Sequence, residues 1–314
     1  MKTKVFIDGS EGTTGLRIHE RFSLRDDVEL MSISPELRKD PAERKRLINS
    51  SDITFLCLPD AAAIESASLV ENENVVIIDT STAHRVSEGW AYGFAELSKN
   101  HREAIRTGKR IAVPGCHATG FISLVYPMVA GGILPADYPV SAFSLTGYSG
   151  GGKKMIAAYE SEDKTQDLYA PREYALTQQH KHLREMQKIT GLARTPLFSP
   201  IVDDYYSGML VTVPLYADML KGASVQSVRE YFKEYYQGEK FITVADEGDE
   251  IASTGFLSGN QLSGFDGLKI YVTGNDDRIL LSSQFDNLGK GASGAAMQCM
   301  NIVLGCDEAT GLSL

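Results

Sequence analysis

Cys116 stands in the run Pro114-Gly115-Cys116-His117-Ala118-Thr119-Gly120, after the strand-like stretch RIAVPG (110–115) and at the head of HATGFISLVYPMV, which reads as a helix. A thiol at a helix N-terminus lies in the positive end of the peptide dipole, and that field favours thiolate, the nucleophilic form. Gly115 leaves room beside the sulfur, and Thr119 is placed to cap the helix start or to donate to an anion. The other cysteines have no such setting. Cys57 sits inside the apolar run DITFLCL (52–58), and Cys299 and Cys306 lie in or after the last helical stretch, as small buried hydrophobes. No CxxC pair occurs, so neither a disulfide framework nor a metal site is expected, and a reducing compartment fits.

A second feature suited to chemistry is the turn Gly9-x-x-Gly12-x-x-Gly15, between the strand-like KVFID (4–8) and a helical stretch from Leu16 to Phe22. Backbone N–H groups there and the helix dipole can hold a pyrophosphate, with Thr13 and Thr14 at the helix mouth. The next strand, VELMSIS (28–34), leads into residues of both kinds for the ribose. Ser32, Ser34, Arg38 and Lys39 suit the 2′-phosphate of NADP, while Glu36 suits the hydroxyl of NAD, so these residues leave the choice open.

The run HKHLRE (180–185) holds two histidines, a residue type whose ordinary pKa lies near neutrality, and a glutamate. On a helix His182 and Glu185 share a face, whereas His180 and His182 do not unless the chain is extended there. Arg85, just past the run VVIIDTS (75–81), is placed to grip an anionic group with its two-pronged guanidinium.

The elements that position these residues fall into two textures. Up to about residue 115, short apolar runs alternate with helix-length segments such as 40–50 and 60–71, which implies a parallel sheet covered on both faces. Beyond residue 120 the runs SAFSLTGYSGGG (141–152) and MLVTVPLY (209–216), and the pair KIYVTG and RILLSSQF joined by Asn275-Asp276-Asp277, predict an antiparallel sheet with a hairpin. The stretch 225–238 places Val225, Val228, Phe232 and Tyr235 on one helical stripe ending at Gly238. A last helix rich in small residues spans 289–305. With 314 residues, a buried core of ordinary size is expected. A net charge of −10 argues against nucleic acid or an anionic membrane as partner. No apolar run reaches the roughly 18 to 20 residues of a membrane span, and a cytoplasmic, unprocessed chain is expected.

Six motifs occur in order over nearly the whole chain: GSEGTTG (9–15), DTSTAHR (79–85), PGCHATG (114–120), GYSGGGKK (147–154), HKHLRE (180–185) and DNLGKGASGAAMQCMN (286–301). Together they resemble the N-acetyl-gamma-glutamyl-phosphate reductases, particularly their shorter class. The resemblance implies an α/β chain: a Rossmann-like NADP-binding domain over 1–115 and 290–314, and an α+β catalytic and oligomerisation domain with a mixed, largely antiparallel sheet over 116–289. It implies NADPH-dependent reduction of N-acetyl-glutamyl 5-phosphate to the semialdehyde and phosphate, a step of arginine biosynthesis, by a homodimer or homotetramer. Cys116 would form a thioester and His180 would manage protons. Arg85, Lys153, Tyr174, His182 and Glu185 would bind substrate, and Gly9, Gly12, Thr13, Thr14, Gly15, Ser34, Arg38, Ser149, Gly150 and Asn287 the cofactor. Lys153 stands where the longer class usually has arginine, and HKHLRE replaces the commoner HRHTPE. The HxHxxE pattern sets the chain apart from the related aspartate-semialdehyde dehydrogenases. Alternatives are a reductase of another acyl phosphate, a nucleotide-independent hydrolase using Cys116 and His180, and a non-catalytic NADP sensor.

Overall fold

The structure, a computed structural model, describes residues 2–10, 12–23 and 25–314; Met1, Glu11, Leu24 and the side chain of Thr13 lie outside it. The chain divides into two units, one made of the residues up to Gly115 with Ala292–Leu312, the other of Cys116–Gly291 with Ser313–Leu314.

The first unit runs β1 (Thr3–Asp8), α1 (Thr13–Phe22), β2 (Val28–Met31), α2 (Pro41–Ser50), β3 (Ile53–Leu56), α3 (Asp60–Ser68), β4 (Val76–Asp79), β5 (Ala91–Tyr92), α4 (Lys99–Thr107) and β6 (Arg110–Ala112). The strands form one parallel sheet in the order β2-β1-β3-β4-β6-β5. Their apolar runs are continuous because both faces are covered. Val5, Ile7, Phe55 and Ile78 join a core with Ile18, Phe22 and Ile105, while Phe6, Leu56 and Ile77 point the other way into one with Leu47, Ile48 and Ala63. Each of these side chains larger than Ala63 contributes about 1.5–3 kcal/mol on burial. The predicted helix from Leu16 begins earlier, at Thr13, and the strand predicted over 28–34 ends at Met31, ahead of an exposed turn at 35–39. The short β5 and the polar α4 have no counterpart in the sequence reading; α4 buries only Ile105 and is capped by Ser98, whose Oγ accepts the His101 N–H.

The second unit runs α5 (Cys116–Ala130), β7 (Ser141–Gly147), α6 (Gly152–Tyr159), β8 (Arg172–Glu173), α7 (Leu183–Thr190), β9 (Leu197–Asp203), β10 (Met209–Tyr216), α8 (Val225–Tyr235), β11 (Ile242–Val244), α9 (Glu250–Ser253), β12 (Leu268–Gly274) and β13 (Arg278–Phe285). Its mixed sheet has the order β11-β12-β13-β10-β7-β9-β8, parallel only at β7/β9 and β11/β12. The β12–β13 hairpin turns at 275–277, where Asn275 Oδ1 accepts the N–H groups of Asp277 and Arg278.

One sheet face carries α5, which lies so close that a Cβ on Gly120 would come within 2.4 Å of Val211 Cγ2 and 2.8 Å of Phe285 Cε1. Pro127 inside α5 cannot donate to the Ser123 carbonyl. The Tyr236 hydroxyl supplies that bond at 2.8 Å, so Tyr236 is buried and Tyr235, placed on the buried stripe by periodicity, is only half-buried. After β13 a wider π-type turn over Gly289–Ser293 occupies the start of the predicted last helix. It leads into α10 (Gly294–Leu304), which packs against α4 and β4 of the first unit.

Candidate active site

In the first unit the order of strands reverses at β1, which has β2 on one side and β3 on the other. Open α/β sheets bind ligands outside the carboxyl ends of the strands at such a switch point. The glycine turn follows β1 at this place. Gly9 has φ +90°, and a Cβ there would stand 2.4 Å from the Cys57 carbonyl oxygen; one on Gly15 would stand 2.5 Å from the Gly9 carbonyl oxygen. Gly12 caps α1, so no cap side chain competes for the first N–H groups, and the first turn holds no acid. This leaves a cradle suited to phosphate, with Thr14 half-buried in its first turn; the Thr13 side chain lies outside the described residues. Beneath it the buried Asp8 carboxylate receives Arg44 Nε at 3.1 Å and Ser66 Oγ at 2.5 Å, fixing the end of β1. Ser34 and Arg38 are exposed beyond β2, and Arg38 Nε donates to the Pro35 carbonyl at 3.1 Å.

The DTSTAHR segment folds back on itself. Asp79 accepts from Ser81 N and Ser81 Oγ, both at 2.8 Å, and pairs with His84 Nδ1 at 2.6 Å; the His84 ring stacks on Trp90 with centroids 4.0 Å apart. Arg85 is buried, with Nε donating to Val113 O at 2.8 Å and Nη2 to Thr80 O at 3.1 Å. The Nε–Nη2 edge is therefore engaged by main-chain carbonyls, where it ties the ends of two strands together.

In the second unit Cys116 is the first residue of α5, whose opening turn carries no acid. Gly291 keeps the space beside it clear, since a Cβ there would come within 2.9 Å of Cys116 Cβ. Next to the thiol, His117 is buried and bonded at both ring nitrogens, Nδ1 to Ser144 Oγ and Nε2 to Tyr174 Oη, each at 2.6 Å. Burial first, and the neighbouring His180 second, lower its pKa to about 3, so the ring is neutral. Burial, then the charge of Cys116, raise the Tyr174 phenol above its ordinary value. Desolvation pushes the Cys57 thiol up to about 12, in keeping with a non-reactive role.

His180 precedes α7 in a non-helical turn, so the helical-face argument does not govern it. Its Nδ1 accepts the His182 N–H at 3.1 Å, and the rings of His117, His180 and His182 gather with centroids 4.7–5.7 Å apart. Phe198 lies edge-on to His117 and His180, both at 5.3 Å. The segment between Tyr174 and His180 holds two non-glycine residues with positive φ, Ala175 at 53° and Gln178 at 56°. Gln178 anchors it by donating to Phe198 O at 2.8 Å and accepting from Phe198 N at 3.0 Å. Glu185 is buried in the first turn of α7, and Lys153 is exposed on α6. Ser149 is buried and Gly150 exposed; Asn287 bonds Ser149 Oγ at 3.0 Å through Nδ2 and the Gly208 N–H at 2.8 Å through Oδ1.

The structure thus brings Cys116, Tyr174, His180 and His182 around His117, a residue the sequence reading passed over. Its two hydroxyl partners lie 27 and 57 residues away, and only its place beside the cysteine could have marked it.

Residues 4–106 match the semialdehyde dehydrogenase NAD binding domain and residues 116–287 the semialdehyde dehydrogenase dimerisation domain. The chain is 45% identical to N-acetyl-gamma-glutamyl-phosphate reductase 2 of Nostoc sp., covering 99% of both chains. This chain belongs to that reductase family. A relative of the same name from Brucella anthropi is 46% identical over 97% of this chain and 99% of its own. Among solved structures, aspartate semialdehyde dehydrogenase II from Vibrio cholerae shares the fold with TM-score 0.73 at 16% identity, over 97% of this chain and 99% of that one. The family places a nicotinamide-dinucleotide site in the first unit, where α1, with no side-chain cap at its N-terminus, fits it. Among the described residues no helix is long and apolar enough to cross a membrane.

Proposed function

We propose that this chain reduces N-acetyl-γ-glutamyl phosphate to N-acetylglutamate semialdehyde and phosphate with NADPH, in the cytoplasm, through a thioester on Cys116. The observation that carries this reading is Cys116 at the head of α5, beside a cluster of three histidines and a tyrosine. The α5 dipole favours its thiolate, which attacks the acyl carbon; the carbon–oxygen bond to phosphate breaks and phosphate leaves with the electron pair. A bound nicotinamide dinucleotide supplies the hydride that reduces the thioester carbon. His180 gives a proton to the thiohemiacetal oxygen, then takes it back as the carbon–sulfur bond breaks and thiolate returns. His182 and Glu185 hold the substrate near this cluster, and Lys153 supplies charge from α6. Cysteine capture divides one difficult step into two easier ones.

Gly9, Gly12, Thr13, Thr14 and Gly15 hold the pyrophosphate, and Ser149, Gly150 and Asn287 are further cofactor-binding residues. Ser34 and Arg38 favour the 2′-phosphate, hence NADP; the Pro35 carbonyl steadies the Arg38 side chain. Assembly into a homodimer is supported by one sheet face of the second unit. Phe143, Leu197, Tyr216 and Leu280 are aligned there by register and are 47%, 66%, 61% and 40% exposed, an apolar area a second copy would cover. The test is NADP reduction by N-acetylglutamate semialdehyde plus phosphate, run beside aspartate semialdehyde and beside NAD. Turnover with the first substrate and NADP is expected; turnover with aspartate semialdehyde alone would move the chain to the other substrate.

A further inference from the structure

A buried histidine bonded to two hydroxyls is more constrained than either hydroxyl. Neutral imidazole offers one N–H donor and one acceptor nitrogen, so Ser144 and Tyr174 cannot both donate to His117, nor both accept from it. If Ser144 donates to Nδ1, then Nε2–H must donate to Tyr174, and the phenolic hydrogen is left to point elsewhere. The bonds are short, 2.6 Å on both sides, and Ser144 and His117 are buried. The far end of this chain is the Tyr174 hydroxyl, whose electrostatic neighbour is Cys116. From this arrangement we propose that His117 is a positioning residue. Fixed as the Nε2–H tautomer by Ser144, it turns the Tyr174 hydroxyl into a hydrogen-bond donor for the oxygen that becomes negative when a carbonyl carbon bonded to Cys116 turns tetrahedral.

The proposal rests on the covalent role of Cys116 given above. No proton leaves the chain: Ser144 donates to His117, His117 to Tyr174 and Tyr174 to the oxyanion, each bond polarising the next. The low pKa of His117 agrees with this, because a charged ring would donate from both nitrogens and Ser144 would no longer set the direction. Tyr174 is placed to act by the anchored segment 174–180, and Ser144 by β7.

The test is a double-mutant cycle on steady-state reduction of NADP by semialdehyde and phosphate. Tyr174→Phe and His117→Leu should each lower kcat on the order of 100-fold, the usual loss of one oxyanion donor, with KM changed less than about threefold. The double variant should be no slower than Tyr174→Phe alone. His117→Gln, whose amide N–H can stand in for Nε2–H, should recover at least about tenfold over His117→Leu, a rescue that a packing role would not produce. Far-UV circular dichroism and melting temperature establish that each variant folds; where His117→Leu does not, the comparison of His117→Gln and Ser144→Ala on the Tyr174→Phe background carries the cycle. Full activity of Tyr174→Phe or of the His117 variants, or losses that multiply in the double variant, would overturn the proposal. Cys116→Ala run alongside separates the two claims: if it is inactive while the cycle fails, only the role of His117 falls, and if it is active, the covalent reading falls as well.

Discussion

Gly291→Ala tests the placement of the thiol without touching a polar group. The added carbon would stand 2.9 Å from Cys116 Cβ, 3.2 Å from Phe285 Cε2 and 3.2 Å from the Asp286 carbonyl oxygen. Carbon pairs are most favourable at about 3.5–4.0 Å, so the overlap with Cys116 is about 0.6 Å or more. Neither β-carbon is the flexible end of a side chain, so backbone must move. Overpacking of this kind costs about 1–3 kcal/mol. At about 2–4 °C per kcal/mol, the melting temperature should fall by roughly 2 to 12 °C. A displacement near 0.5 Å at the nucleophile should lower kcat about 10- to 100-fold, since a misplacement of about 1 Å costs about 100-fold. Steady-state NADP reduction and the rate of iodoacetamide alkylation read the site, and calorimetry reads the fold. Gly267→Ala is the control, because its Cβ would meet nothing closer than 3.8 Å. A kcat within twofold of the parent for Gly291→Ala, with an unchanged melting temperature, would refute the reasoning.

Three further outcomes follow from the same geometry. The folded-state pKa of His117, near 3, lies below its ordinary 6.5, so between those values the unfolded chain binds a proton that the folded one does not. Stability from this group is complete above about pH 6.5 and falls as pH drops toward 3, by about 1.4 kcal/mol per unit; urea titrations at pH 4 to 7 should show a shallower slope for His117→Gln, and an identical slope would contradict it. Gln178→Ala removes both bonds to Phe198 while keeping a residue that tolerates positive φ no better, so it should cost about 2 kcal/mol and lower kcat more than it changes KM; equal melting curves and rates would count against the anchoring role. Gly9→Ala places a Cβ 2.4 Å from the Cys57 oxygen at φ +90°, and NADPH fluorescence titration should show binding at least about tenfold weaker, whereas equal affinity would detach the turn from the nucleotide site.

Much of the fold was legible because strands buried on both faces carry near-continuous apolar runs, as KVFID, DITFLCL and VVIIDTS do. The hairpin at 268–285 was legible from its Asn-Asp-Asp turn, while the helix expected to open at His117 or Ala118 starts at Cys116 itself. Tyr236 could not be preferred over Tyr235 by period alone, since what draws it inward is the carbonyl that Pro127, more than a hundred positions earlier, leaves without a donor. At His180 the exception left open by helical spacing holds, because a turn held by positive φ values and by Gln178, rather than a helix, presents that ring. Arg85 read as an anion ligand because its type suits one; carbonyls at the ends of two strands accept from its Nε and Nη2, a structural tie that residue type alone did not reveal. The hub role of His117 depends on partners from β7 and from the segment before α7, which only the folded chain brings together.

The covalent role of Cys116 is tested most directly by mixing the enzyme rapidly with N-acetylglutamate semialdehyde and NADP in the absence of phosphate. One equivalent of NADPH per subunit should form in a burst and then stop, with a thioester on Cys116 seen by intact mass, and turnover should resume when phosphate is added. Cys116→Ser should give no burst. A first turnover that itself requires phosphate, or a burst that survives the loss of Cys116, would contradict the thioester mechanism.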